Sequence, residues 1–198
     1  ISAGGDHTVP LPVIRAIGST KRPFAVVHFD AHSDTWDTLY GNKFNNATPF
    51  RRLIEDGLID PKRLVQIGIR GTLFAQNDLE WGLAQGIRII TMDEFESLGR
   101  DKVVAEVRRI VGDSPVYVTY DVDGLDPVHC PGTGAPEPGG LSMRDSQVII
   151  RGLRGLDVIG GDVCEVSPPL YQAGHTAVNA ANLLFEILCL APESSVAR

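Results

Sequence analysis

Cysteine is scarce in this chain, and its three copies, Cys130, Cys164 and Cys189, form no C-x-x-C pair. That spacing excludes a zinc ribbon or a thioredoxin-like centre, and the odd number leaves one thiol unpaired in any disulfide scheme. The cysteines read as reduced thiols of an intracellular protein. Cys164 lies in a strand-like run and Cys189 in a helix-like one, where packing accounts for both. Basic residues are outnumbered as well: 18 Lys and Arg against 25 Asp and Glu leave a net charge of −7. An acidic surface repels phosphate backbones and anionic lipid, so we expect no nucleic-acid and no membrane partner. No apolar run nears the ~20 residues that a bilayer span needs. No G-x-G-x-x-G follows a strand pattern, which removes a dinucleotide-binding role, and there is no G-x-S-x-G elbow.

What is present is a hydrophobic fraction of 43% spread along 198 residues, enough for one core. We expect one domain over residues 1–198. Short β-branched runs alternate with amphipathic stretches. The strand candidates are Phe24–Asp30, Leu64–Arg70, Arg88–Met92, Val116–Asp121 and Val158–Val166. They are nearly continuous in Val and Ile, as strands buried on both faces of a parallel sheet are. Helix signals lie between them: Thr48-Pro49 as cap and first-turn Pro, Asp101 ahead of a Val104/Val107/Val111 stripe, a capping box at Ser142–Asp145, and Thr176 opening the most apolar helix. Repeated β-α-β units predict an α/β fold with a mostly parallel sheet and helices on both faces. The Pro/Gly-rich stretch 130–140 reads as a structured loop over a site.

Ligands of open α/β sheets bind at the carboxyl ends of the strands, and the chemistry-bearing residues collect there. Gly4-Gly5-Asp6-His7 ends the first apolar piece, Asp30-Ala31-His32-Ser33-Asp34 follows a strand, and Asp121-Val122-Asp123 ends another. Alternate residues of an extended segment point one way, so each run can converge. Oxygen and nitrogen ligands without thiolate suit a hard or borderline divalent metal, Mn²⁺ especially. Four carboxylates, Asp30, Asp34, Asp121 and Asp123, balance two such ions. Two ions sharing a water bring its pKa toward neutrality.

These runs, with Tyr120–Pro127 and Glu165-Val166-Ser167-Pro168, resemble the ureohydrolase family of arginases and agmatinases from end to end, and the agmatinase-like members most. The resemblance implies a three-layer α/β/α fold, two Mn²⁺ per chain, and hydrolysis of a guanidino group to urea plus an amine. It implies His7, Asp30, His32, Asp34, Asp121 and Asp123 as metal ligands. Asp34 would also orient the nucleophile, and Glu165 would grip the guanidinium. Agmatine is the expected substrate, with guanidinobutyrate or another guanidino acid as the alternative. A metal-binding but catalytically weak subunit is the competing reading. The family further implies a cytoplasmic homo-oligomer, trimer or hexamer.

Three features depart from the family pattern. Asn46 stands where agmatinase-like members carry a His that relays a proton to the leaving amine, and an amide has no proton to give near pH 7. His28 would replace that His only if it reached the metals, and a supporting contact is the expectation. Leu170-Tyr171-Gln172 also differs, and the loop around Gln172 to His175 is expected to border the pocket mouth; neither His129 nor His175 is assigned a role. Finally, the chain opens on Ile1-Ser2-Ala3 without Met or a signal-peptide pattern, and the N-terminal part of the family fold is expected to be absent, leaving an unpaired sheet edge.

Overall fold

Six strands carry the apolar runs into one sheet in the computed structural model, which describes residues 1–18 and 23–191. They are β1 (Ser2–Ala3), β2 (Phe24–Phe29), β3 (Ile59–Ile69), β4 (Arg88–Thr91), β5 (Val116–Asp121) and β6 (Val158–Cys164). Their order is β1-β6-β5-β2-β3-β4, and every strand pairing among the described residues is parallel. Among the described residues seven α-helices flank them: α1 (Pro10–Gly18), α2 (Pro49–Glu55), α3 (Glu80–Gln85), α4 (Met92–Leu98), α5 (Arg100–Val111), α6 (Met143–Gly152) and α7 (His175–Leu188).

The two faces of β2 show why its sequence does not alternate. Phe24 and Val26 pack with Leu11 and Ile14 of α1 and Phe50 and Leu53 of α2. Ala25, Val27 and Phe29 pack on the other side with Val103 and Val107 of α5, Ile149 of α6 and Leu183 of α7. All six residues of the strand are buried, and its five apolar positions each contribute burial at roughly 25 cal/mol per Å², while His28 is the polar exception. The result is the expected three-layer α/β/α arrangement.

Several boundaries differ from the sequence expectations, each for a local reason. The α5 stripe is Val103, Val107 and Val111, not one led by Val104, which is only partly buried. The helix begins at Arg100, so Asp101 lies in its first turn and is not its cap. Thr48 does not cap α2 with its side chain; its hydroxyl donates to the Lys43 and Asn45 carbonyls instead. α7 begins at His175, one residue before Thr176, whose Oγ1 accepts from the Gly132 N–H. The Ser142/Asp145 capping box forms as expected. Three short helices have no counterpart in the sequence reading. In α1, Pro10 and Pro12 occupy the first turn, where N–H groups have no intrahelical partner. In α4, Thr91 ends the strand and its hydroxyl accepts from the Glu94 N–H. The third, α3, stops at Gly86 in the left-handed region (φ 92°).

Candidate metal centre

The carboxyl ends of four adjacent strands, β1, β6, β5 and β2, converge on one cluster of acids and imidazoles. His7 follows β1, Asp30, His32 and Asp34 follow β2, Asp121 ends β5, and Glu165 follows β6. The runs converge by turning, not by the extended geometry expected. Asp34 takes φ 51° and Glu165 φ 65°, a region costly for residues with a Cβ. Asp123 sits in a 3₁₀ turn, Val122–Gly124. Glycine permits the close packing: a Cβ on Gly124 would lie 2.9 Å from the Asp30 amide nitrogen.

His7 is the centre of one group. Its Nδ1 lies 3.0 Å from Asp30 Oδ2, 2.9 Å from Asp34 Oδ2 and 3.3 Å from Asp121 Oδ2, yet makes no aligned hydrogen bond to any of them. His32 belongs to a second group, with Nδ1 3.1 Å from Asp123 Oδ2 and 3.4 Å from Asp30 Oδ1. Asp30 joins the two. These groups, His7/His28/Asp30/Asp34 and Asp30/His32/Asp123, have the spacing of metal-ligating sets. A third set, His7/Asp162/Cys164, has the spacing but not the chemistry. Burial pushes the Cys164 thiol up, and its Sγ donates to Asp162.

The electrostatics call for positive charge. Burial first, then repulsion from Asp30, raises Asp34 to about 7 and Asp123 to about 6. Burial and the charges of Asp123 and Asp30 likewise raise Asp121. Asp30 goes the other way: burial opposes its charge, but the contacts of His28, His32 and His7 outweigh that and hold it low. Burial disfavours a charged His7, yet the three carboxylates around it raise its pKa well above the usual range. A buried point that draws a proton this strongly is one where a divalent cation fits.

Below the cluster runs a polar row that the sequence reading missed. Gln66, His28, Thr119 and Asp162 are register partners across β3, β2, β5 and β6, and all four are buried. Thr119 donates its one hydroxyl hydrogen to Asp162 (2.7 Å), so its oxygen accepts from His7 Nε2–H at 2.9 Å. That assignment leaves the Nδ1 lone pair of neutral His7 facing the acids. Tyr117 also donates to Asp162. Gln66 donates to His28 Nδ1 (3.0 Å), and His28 Nε2 donates to Asp30 at 2.7 Å. His28 thus supports a neighbouring carboxylate, the expected role. The available sequence signal was Asp162 itself, a charged residue inside an apolar strand.

Above the cluster is a cavity of about 350 Å³. Asp34, Asp121, Asp123, His32 and Glu165 line it together with the apolar or aromatic Trp36, Leu39, Tyr40, Leu73, Phe74 and Leu79 and with Asn46. Glu165 accepts from the His7 N–H through Oε1 at 2.7 Å, and burial raises its pKa. The loop 172–175 does not border this cavity, contrary to expectation. Tyr171, Gln172 and Gly174 line a separate one of about 260 Å³ with Gly132 and Thr176. Residues 72–74 line the cavity instead, and Phe74 meets Trp36 edge-on with ring centroids 4.7 Å apart.

A family model described as the arginase family matches residues 1–190. Guanidinopropionase of Pseudomonas aeruginosa is 53% identical over 98% of this chain and 61% of its own length. The mitochondrial agmatinase of Gallus gallus is 44% identical over 97% of this chain and 56% of its own. The solved structure of proclavaminate amidino hydrolase from Streptomyces clavuligerus superposes with a TM-score of 0.93 at 41% identity, over 97% of this chain and 64% of that one. The chain therefore spans about three fifths of the length of the relatives it matches.

Proposed function

The chain belongs to the arginase family, and from that premise we propose that its site hydrolyses a guanidino group to urea plus an amine with two manganese ions bound. The observation that carries this reading is His7 Nδ1, buried and without a hydrogen bond among three carboxylates, under a cavity that also holds Glu165. His7, Asp30, Asp34 and Asp121 would hold one ion, and Asp30, His32 and Asp123 the other. The donors are oxygen and imidazole nitrogen, as Mn²⁺ prefers, and four carboxylates balance two dications. Two such ions would supply a water of near-neutral pKa. Asp34 would accept a hydrogen bond from that nucleophile, orient it toward the guanidinium carbon and pass its proton on to the departing amine. Glu165 accepts from the guanidinium by charge-assisted hydrogen bonds, which places the guanidinium carbon over the acid cluster.

For the tail, the 53% identity to an enzyme named guanidinopropionase puts a short guanidino acid ahead of agmatine, the substrate first expected. The apolar part of the cavity lining, Trp36, Leu39, Leu73, Phe74 and Leu79, supports a tail read by length and shape. Besides the acids and His32, the described lining carries one charged side chain, Arg70, which donates to main-chain carbonyls. Tyr40, Asn46 and Thr72 offer neutral polar groups in the same lining. Three free cysteines support a reducing compartment, the cytoplasm. Val178, Phe185 and Leu188, exposed on one face of α7, support a homo-oligomer. No described helix is long and apolar enough to cross a membrane.

The test is urea release from 3-guanidinopropionate, 4-guanidinobutyrate, agmatine and arginine, with and without Mn²⁺. Manganese-dependent urea from a guanidino acid is the expected result. No urea from any of the four, with two ions bound, would favour the non-catalytic subunit. In the same assay Asn46→His is expected to raise urea release about tenfold or more, because a general acid contributes ~10²–10⁴ in rate and position 46 faces the cavity. An unchanged rate would show that position 46 does not serve the leaving amine.

A further inference from the structure

Arg70 is the one arginine or lysine among the described residues that line the cavity, and its hydrogen bonds are unusual in their targets. Its Nε donates to the Glu137 and Pro138 carbonyls at 3.1 and 3.2 Å. Its Nη1 donates to Gly68 and Gly124 (3.0 and 3.3 Å), and its Nη2 to Asp123, Leu125 and Glu137 (2.8, 3.1 and 2.6 Å). The five N–H groups of the guanidinium thus meet six carbonyls from three segments: the end of β3, the turn that carries Asp123, and loop 132–140.

Each segment bears on the site. The Asp123 turn packs on the Asp30 amide, and Asp123 Oδ1 accepts from the Ala31 N–H. Loop 132–140 pairs with the segment after Glu165: Thr133 bridges Val166, and the Ser167 N–H donates to the Gly132 carbonyl. Gly134 and Ala135 of this loop share the cavity wall with Glu165. Thr72 N–H, just after β3, donates to Glu137 Oε1, a second tie between this loop and the segment that carries Arg70. Gly140 leaves room for the arrangement, since a Cβ there would collide with the Arg70 guanidinium and lie 2.6 Å from the Asp126 amide.

We propose that Arg70 is a positioning residue: a guanidinium clasp that fixes the Asp123 turn and the loop beside Glu165 relative to each other, so that the second cation and the guanidinium of the substrate are held in one register. Lysine keeps the charge but has three donors on one point and cannot span six carbonyls. The inference rests on the two-metal reading given above.

Manganese titration of the full chain, read by electron paramagnetic resonance, separates the two. The wild-type chain is expected to show the spectrum of a coupled manganese pair. In Arg70→Lys, the Asp30/His32/Asp123 site is expected to weaken about 10–100-fold, as loss of a supporting partner does. The pair spectrum then gives way to that of a single ion at the His7 site. Amides 122–126 and 132–140 should exchange faster with deuterium, while those of β5 keep wild-type protection. Gly140→Ala, whose Cβ would crowd the Arg70 guanidinium and the Asp126 amide while residue 70 stays arginine, should produce the same split. A pair bound with wild-type affinity in both variants overturns the clasp. Loss of both ions together with β5 protection also overturns it, because Arg70 would then serve the fold alone. A wild-type chain that binds no manganese pair would instead overturn the two-metal reading, and this inference with it.

Discussion

Asp34→Asn is expected to lower urea release by about 10²–10⁴-fold, the range for removing a group that handles a proton in the reaction, while making the metal-free chain more stable. The two effects have one cause. Asp34 is buried, and burial together with repulsion from Asp30 raises its pKa to about 7, above the ~3.9 of an unfolded chain. A carboxyl raised on folding costs nothing below its unfolded value. The cost grows as pH rises toward the folded value and is then constant. Asparagine removes it. In chelator, the melting temperature of Asp34→Asn should exceed that of the wild type by more at pH 8 than at pH 5. Saturating Mn²⁺ should reverse the order, because the native carboxylate then gains a cation that the amide binds poorly. Wild-type turnover in this variant would remove Asp34 from the proposed chemistry.

Glu165→Gln is expected to act on substrate and leave the metals in place. Glu165 is held in the left-handed region at φ 65°, with its amide donating to the Gly5 carbonyl at 2.7 Å. One carboxylate oxygen already accepts from the His7 N–H. The amide of Gln keeps that acceptor and the side-chain volume but loses the negative charge. Truncating one side of a buried, hydrogen-bonded charge pair costs about 2–5 kcal/mol, which is roughly 30- to several-thousand-fold in kcat/KM at about 1.4 kcal/mol per tenfold. Steady-state kinetics should show the loss mainly as a raised KM. Manganese content should match the wild type. A fall in metal content would mean that Glu165 serves the cation cluster rather than the guanidinium.

The acids and imidazoles of the site were legible in sequence because they stand in short runs at the ends of apolar strands. Their geometry was not. Asp30, His32 and Asp34 do not line one side of an extended segment; the left-handed turn at Asp34 sends it to His7 while His32 faces Asp123. Aspartate visits the left-handed region more often than most residues, but nothing in the run marks Asp34, rather than Asp30, as the one that turns. The polar row was hidden for another reason: Gln66, His28, Thr119 and Asp162 come from four separate strands, and only their register aligns them. The pocket border was misplaced because the reading followed a departure at 170–172, whereas residues 72–74 after β3 line the cavity. Buried parallel strands announce themselves by continuous Val and Ile, so β2, β3, β4, β5 and β6 were found, with β3 starting five residues earlier than expected. The short helices α1, α3 and α4, of nine, six and seven residues, offer too few turns for a periodic signal.

The measurement that bears most directly on the two-cation site is the manganese content of the purified chain after loading with Mn²⁺ and gel filtration, by inductively coupled plasma mass spectrometry. Two ions per chain is the predicted result, falling to one or none when Asp30, which joins both groups, is replaced by alanine. A wild-type chain that retains no manganese, or one whose two ions survive Asp30→Ala, would contradict a metal centre at this cluster.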